Sequence, residues 1–130
     1  MVCLETTFLI DILRGNPKIK ELKDEFDKYG LRITVASPTV MEIWAGAILS
    51  KRNPREKEII KSLLGSIEVL HLDEESAKEA GEIEAELVSN GQIIQTEDIM
   101  IAAITLTNGE KLVTRDSHYA RIDGLKLIKY

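Results

Sequence analysis

The run from Thr96 to Asp116 constrains the fold more than any other part of the chain. Thr96-Glu97-Asp98, followed by Ile99-Met100-Ile101-Ala102-Ala103-Ile104, reads as a helix with Thr96 as N-cap and acids in its first turn. Beyond Asp98 this helix is apolar on nearly every side, and a helix without a polar face is buried over most of its surface. Asn108-Gly109 closes it, and Lys111-Leu112-Val113-Thr114 then reads as a short strand that delivers Asp116 just past its C-terminal end. Asp98 thus stands where a buried element surfaces, beside the positive end of a helix dipole. Acids placed just past strand ends, or at the starts of the following helices, gather at one edge of a parallel sheet. Open α/β folds bind ligands at that edge.

The rest of the chain supplies the other strands and helices. Val2-Cys3-Leu4 reads as a buried strand followed by Glu5-Thr6-Thr7, where Thr6 or Thr7 caps a helix Phe8–Leu13 that Gly15 ends. Asn16-Pro17, Ser37-Pro38 and Asn53-Pro54 each put a capping residue before a proline, which favours the first helical position. Helices are expected over Pro17–Lys28, Pro38–Ser50 and Pro54–Leu64. Leu31–Ala36 and Ile67–Leu70 read as strands, Asp73–Ser89 as an amphipathic helix closed by Asn90-Gly91, and Leu125–Ile128 as a final edge strand. Gly81 inside the amphipathic helix is a mild cost unless a neighbour packs closely there. Strands alternating with helices argue for a mostly parallel sheet covered on both faces.

Length and composition bound the function classes. A chain of 130 residues, 44% hydrophobic, is expected to form one domain over 1–130, and with 5% aromatics its core is aliphatic. A net charge of -5 speaks against gripping nucleic acid by bulk charge, but not against an enzyme that meets phosphates through bound cations. One cysteine, Cys3, excludes an internal disulfide, and with only His71 and His118 besides, a structural zinc site is improbable. No signal peptide and no membrane-spanning apolar run is visible, so a cytoplasmic protein is expected.

Four acids fall at the strand ends: Glu5 after the first strand, Glu42 one turn into the helix after Leu31–Ala36, Asp98, and Asp116. Taken singly, each has an ordinary reading as cap, turn residue or ion-pair partner. Taken together they form a cluster of like charges, unfavourable unless a cation neutralises it. Oxygen-only ligands favour Mg²⁺ or Mn²⁺ over zinc. Glu42, Asp98 and Asp116 are expected to face one cavity, with Glu5 at its floor.

Leu4-Glu5-Thr6-Thr7-Phe8-Leu9-Ile10-Asp11-Ile12-Leu13-Arg14-Gly15, Val40-Met41-Glu42-Ile43-Trp44-Ala45-Gly46, Glu97-Asp98-Ile99-Met100-Ile101-Ala102-Ala103 and Leu112-Val113-Thr114-Arg115-Asp116 resemble the four signature blocks of PIN-domain ribonucleases. They are most similar to the VapC-type toxins of prokaryotic toxin–antitoxin pairs. The resemblance covers essentially the whole chain. It implies a PIN-like three-layer α/β/α fold with a roughly five-stranded sheet and its first strand central. It also implies that Glu5, Glu42, Asp98 and Asp116 bind Mg²⁺ or Mn²⁺ to hydrolyse single-stranded RNA, in a homodimer with a small antitoxin partner. The departure is Glu5, where the family pattern has Asp.

Around these acids, Thr6 and Thr114 are candidates to hold a carboxylate or water, against plain capping and strand roles. Arg14 and Arg115 are candidate RNA or antitoxin contacts, against surface ion pairs. Asp11 reads as structural, and Trp44 as core or dimer interface. With Ile48 and Leu49, Trp44 makes its helix more apolar than one core stripe needs, pointing to a homodimer. His118 and Tyr119 receive no role. No His lies in a signature block, which leaves a metal-free acid–base mechanism without support, and Leu4-Glu5-Thr6-Thr7 lacks the paired acids of receiver or haloacid-phosphatase folds. The alternative is a degenerate PIN domain acting as a non-catalytic binding module.

Overall fold

The computed structural model describes residues 1–50 and 54–130. Its strands are Val2–Leu4 (β1), Ile33–Ala36 (β2), Glu68–Leu70 (β3), Lys111–Thr114 (β4) and Leu127–Lys129 (β5). Its α-helices are Thr6–Leu13 (α1), Pro17–Lys28 (α2), Ser37–Leu49 (α3), Glu56–Gly65 (α4), Glu74–Ser89 (α5) and Thr96–Thr107 (α6), and a 3-10 turn covers Ser117–Arg121. The strands form one sheet in the order β3-β2-β1-β4-β5, and every neighbouring pair is parallel. The first strand is central, with Val2 opposite both Ile33 and Lys111, and the expected final strand lies at the sheet edge.

Side-chain alternation along the strands divides the core in two. Val2, Leu4, Val35 and Val113 pack against Phe8, Leu9, Ile19, Phe26, Ile43 and Ile60 of α1–α4. Cys3, Ala36 and Leu112 point the other way, onto Ile83 and Leu87 of α5 and Ile99, Ile101 and Ile104 of α6. The layers are therefore α/β/α. As its apolar circumference requires, α6 buries Ile99 and the whole run Ile101–Thr105. Gly109, at φ +66, takes the left-handed conformation that ends it. Among the described residues no helix is long and apolar enough to cross a membrane.

The elements stand where they are expected, but several helix starts differ. At α2 the reading holds: Asn16 accepts from the Lys18 amide at 3.1 Å with Pro17 next. At α5, Asp73 and Ser76 cap one another reciprocally. At α1 the cap is Glu5 rather than Thr6 or Thr7, because its carboxylate bends back to the Thr7 amide, 3.1 Å away. Neither Thr96 nor Ser37 is a cap. Each is the first residue of its helix, after Gln95 and Ala36, which make no side-chain capping bond. Pro54 lies in a turn and α4 begins at Glu56, while Asn53 lies outside the described residues. Among the described residues no other part of the fold comes within 4 Å of where a Cβ on Gly81 would stand, so no close-packed neighbour explains that glycine.

Candidate acidic site at the strand ends

The Glu5 amide donates to the Val113 carbonyl at 3.0 Å, carrying the β1–β4 ladder one residue past the strand. This fixes Glu5 above the sheet edge at 3% exposure. Its Oε2 accepts from the Thr7 amide at 3.1 Å, from Thr114 Oγ1 at 2.9 Å and from the Thr7 hydroxyl, while Oε1 takes no described hydrogen bond. Thr114, the last residue of β4, also accepts from the Asp116 amide at 3.0 Å. One hydroxyl thus ties two of the acids together. Asp116 caps the 3-10 turn, accepting from the His118 amide at 2.9 Å with His118 Nδ1 2.7 Å from the same oxygen.

Asp98 lies in the first turn of α6, where the phenol of Tyr119 donates to Oδ1 at 3.0 Å. Glu42 sits on α3 and accepts from Thr6 Oγ1 at 2.9 Å, and that hydroxyl stands 3.1 Å from Thr39 Oγ1. Thr6 and Thr114 therefore each hold a carboxylate of the cluster.

The electrostatics join these acids. Burial, followed by the charge of Asp98, holds the Glu5 carboxyl above its ordinary value, against the pull of its hydroxyl and amide donors. Burial, then the charges of Asp98, Glu5 and Glu97, does the same to Glu42. Burial, then Asp116 and Glu97, raises Asp98. None of the four acids has a lysine or arginine among its described hydrogen-bond partners. The donor set is all oxygen, which suits a hard divalent cation. Among the described residues, however, no three His, Cys, Asp or Glu side chains are grouped so that they could hold a metal ion.

The expectation of a single cavity is corrected. Asp98 and Asp116 share a hollow of about 320 Å³. Glu42 lines a different one, about 470 Å³, between α1, α3 and α4, together with Arg14. Glu5 lines neither, because its carboxylate is turned down into the hydroxyls at the strand ends.

Arg115 is held in an ion pair, its Nε 2.9 Å from Asp11 Oδ2, so that Asp11 serves structure as expected. Sequence reasoning missed three side chains. Tyr119 is fully buried against Asp98. Thr7 holds Glu5. Tyr130 donates to Asp11 Oδ2 at 3.1 Å with its hydroxyl 3.3 Å from Thr7 Oγ1. The one available signal was a tyrosine three residues beyond Asp116. For Tyr130, 119 positions from Asp11, there was none.

An all-parallel, doubly covered sheet with carboxylates at its C-terminal edge defines an α/β protein whose chemistry is carried at that edge. The model of the PIN domain matches residues 2–125, and the chain belongs to the PIN domain family. It is similar to the ribonuclease VapC2 of Haemophilus influenzae, 30% identical over 124 residues, covering 95% of this chain and 92% of that one. The tRNA(fMet)-specific endonuclease VapC of Shigella flexneri is 28% identical with the same coverage, 95% and 92%. Among solved structures, DNA-bound VapBC from Salmonella typhimurium superposes with a TM-score of 0.90 at 27% identity, covering 98% of this chain and 96% of that one.

Proposed function

We propose that this chain is a Mg²⁺- or Mn²⁺-dependent ribonuclease that hydrolyses single-stranded RNA, the toxin of a toxin–antitoxin pair. The observation that carries the metal dependence is the gathering of Glu5, Glu42, Asp98 and Asp116 at the C-terminal edge of the sheet, tied by Thr6, Thr114 and Tyr119 with no lysine or arginine among their described partners. There burial first, and then a neighbouring acid, hold Glu5, Glu42 and Asp98 above the ordinary carboxyl value. Such a group is favoured in its ionised form once a cation neutralises it. The VapC names of the relatives support the reaction class.

Asp98 and Asp116, which share one hollow, would hold the cation, joined by Glu42 and Glu5 once those two side chains turn toward it, since as they stand the described acids are not grouped as a metal site. Water would complete its shell, as Mg²⁺ generally keeps several. When bound, the cation supplies neutralisation of the scissile phosphate and activation of water. The chain's own residues orient that site. Thr114 and Thr7 fix the Glu5 carboxylate, Thr6 fixes Glu42, and Tyr119 fixes Asp98. Each donor bonds the charged form of its acid and so helps keep it ionised.

Two further elements of the reading concern partners. Leu49 at 79% exposure, with Ile48 and Met41 on the same helix, supports burial of part of α3 in a homodimer. A small antitoxin is the second partner, by analogy with the VapBC structure. Arg14, exposed beside Glu42, is the better placed of the two arginines to touch RNA or antitoxin, since Arg115 is engaged by Asp11.

Cleavage of a single-stranded RNA by the purified chain, with Mn²⁺, with Mg²⁺ and with chelator, tests this reading. Metal-dependent cleavage lost in Asp98→Asn supports it, and no cleavage in either metal overturns it. One observation favours the non-catalytic alternative: Glu5 Oε2 is taken up as a helix cap and hydroxyl acceptor. RNA binding without cleavage by the parent, and cleavage gained in Glu5→Asp, would establish that alternative.

A further inference from the structure

We infer that Thr39 is a positioning residue for Glu42 and acts through Thr6, ordering the Thr6 hydroxyl so that its one hydrogen goes to the carboxylate. The consequence for catalysis rests on the ribonuclease reading. Thr39 lies in the first turn of α3, and Glu42 follows one turn later on the same face. Thr6, the first residue of α1, reaches both. The two hydroxyls stand 3.1 Å apart, and Thr6 Oγ1 is 2.9 Å from Glu42 Oε1.

Packing does not account for the hydroxyl of Thr39. The residue is 0% exposed, in a place where valine would have the same shape and no polar group to satisfy. Among the described residues its side chain makes no hydrogen bond besides the one with Thr6. A hydroxyl carries a single hydrogen and accepts through its lone pairs, whereas an ionised carboxylate only accepts. The Thr6 hydrogen therefore serves Glu42, and the hydrogen that joins the two threonines comes from Thr39. Thr6 is fixed from both sides, accepting from one turn of α3 and donating to the next. Without the Thr39 hydroxyl, Thr6, itself only 5% exposed, loses its donor and is free to swing off Glu42. Glu42 depends on that hydroxyl, since Thr6 is the one described side chain that donates to it, while the charges of Asp98, Glu5 and Glu97 act on it. With Oε1 held by Thr6, Oε2, which takes no described hydrogen bond, is the oxygen left for a cation as the side chain turns toward it.

The test reads Glu42 directly, in the full chain without metal and at one fixed pH, through the carboxyl carbon resonance of labelled glutamate, assigned with Glu42→Gln. Thr39→Val is expected to move that resonance in the direction that Thr6→Val moves it, and Thr39→Ser to return it. Added to Thr6→Val, Thr39→Val is expected to move it no further, since a residue that acts through Thr6 then has nothing left to act on. Valine keeps the shape of threonine, and Thr39→Ala takes its place if that variant does not fold. In calorimetry with Mn²⁺, Thr6→Val is expected to weaken binding of the ion about tenfold. Thr39→Val is expected to weaken it about fivefold, the size of one net hydrogen bond, with the double variant no weaker than Thr6→Val. A Glu42 resonance unmoved in Thr39→Val overturns the inference, as does a Thr39→Ser that behaves like Thr39→Val. An effect that adds in full to that of Thr6→Val overturns it too, as does unchanged Mn²⁺ affinity in Thr39→Val when the parent binds the ion. Failure of the ribonuclease reading shows separately, as a parent that cuts no RNA in either metal while its Glu42 resonance still answers to Thr39.

Discussion

The buried phenol of Tyr119 donates to Asp98 Oδ1 at 3.0 Å. Burial and the charges of Glu5, Asp98 and Asp116 all push the ionisation of this phenol up, so it stays a neutral donor at any working pH. Tyr119→Phe keeps the ring in the core and removes only the hydroxyl. Groups that orient a metal-binding carboxylate are worth about 10–100-fold in affinity or activity. We expect Tyr119→Phe to lose that much in Mn²⁺ affinity and RNA cleavage while its melting temperature falls little. Unchanged metal affinity would show that Tyr119 serves packing alone.

A second relay reaches Glu5 from the far end of the chain. Arg115 binds Asp11, Tyr130 donates to Asp11 and stands beside Thr7, and Thr7 holds Glu5. Tyr130→Phe breaks the middle of this relay and keeps the edge-to-face packing of the ring on Phe8. The expected result is a loss of about 1 kcal/mol in stability, a typical net hydrogen bond, with a fall in cleavage smaller than that of Tyr119→Phe. Paired denaturation and kinetic measurements check the order.

Glu5 allows charge and geometry to be separated. Glu5→Gln keeps an oxygen able to accept from the Thr7 amide but removes the charge, so the helix cap survives and metal affinity falls. Glu5→Asp keeps the charge and is a good cap in its own right, one methylene shorter. Mg²⁺ demands stricter geometry than larger cations, so cleavage by the parent is expected to prefer Mn²⁺ and cleavage by Glu5→Asp to regain Mg²⁺. Rates of both variants in both metals decide the matter, and equal cleavage by Glu5→Gln and the parent would remove Glu5 from the metal site.

The repulsion among the acids predicts a trade between stability and function. Asp98→Asn removes a charge that raises the carboxyls of Glu5 and Glu42, while its amide oxygen still accepts from Tyr119. The metal-free variant is expected to melt a few degrees above the parent, since about 1 kcal/mol moves the midpoint of a small domain by roughly 2–8 °C. Its cleavage should be lost. Calorimetry without metal, and again with Mn²⁺, should show the parent gaining more from the ion than the variant.

Glu110 gives a pH test outside the acidic site. Just before β4, at the N-terminal edge of the sheet, it is buried and accepts from Thr34. Burial holds its carboxyl above the ordinary 4.5. A carboxyl raised in the folded chain binds its proton more tightly there. Its contribution is therefore present below 4.5 and is lost as pH rises through the folded value. Relative to Glu110→Gln, the parent is expected to lose stability over the pH interval above 4.5, and urea melts at a series of pH values check the sign.

Much of this molecule was legible one segment at a time. The apolar circumference of Ile99–Ile104 announced a buried helix, and the order of strands and helices announced a parallel sheet. Asn16-Pro17 marked one helix start correctly. The expected caps at Thr6 or Thr7, at Ser37 and at Thr96 fail because propensity ranks residue types, whereas a cap is decided by where the backbone turns. At Glu5 the turn let a longer acid reach back to its own helix.

By itself the sequence determined the architecture and the inventory of acids, since periodicity and turn chemistry act over a few neighbouring residues. Only the tertiary structure decided how those acids are held. It split Glu42 from Asp98 and Asp116 into separate hollows. It turned Glu5 onto Thr7 and Thr114, set Tyr119 against Asp98 21 positions away and brought Tyr130 to Asp11 across 119 positions. A hydrogen bond forms over about 3 Å whatever the separation along the chain. The pattern that places a strand therefore carries no information about which hydroxyl will face its last carboxylate.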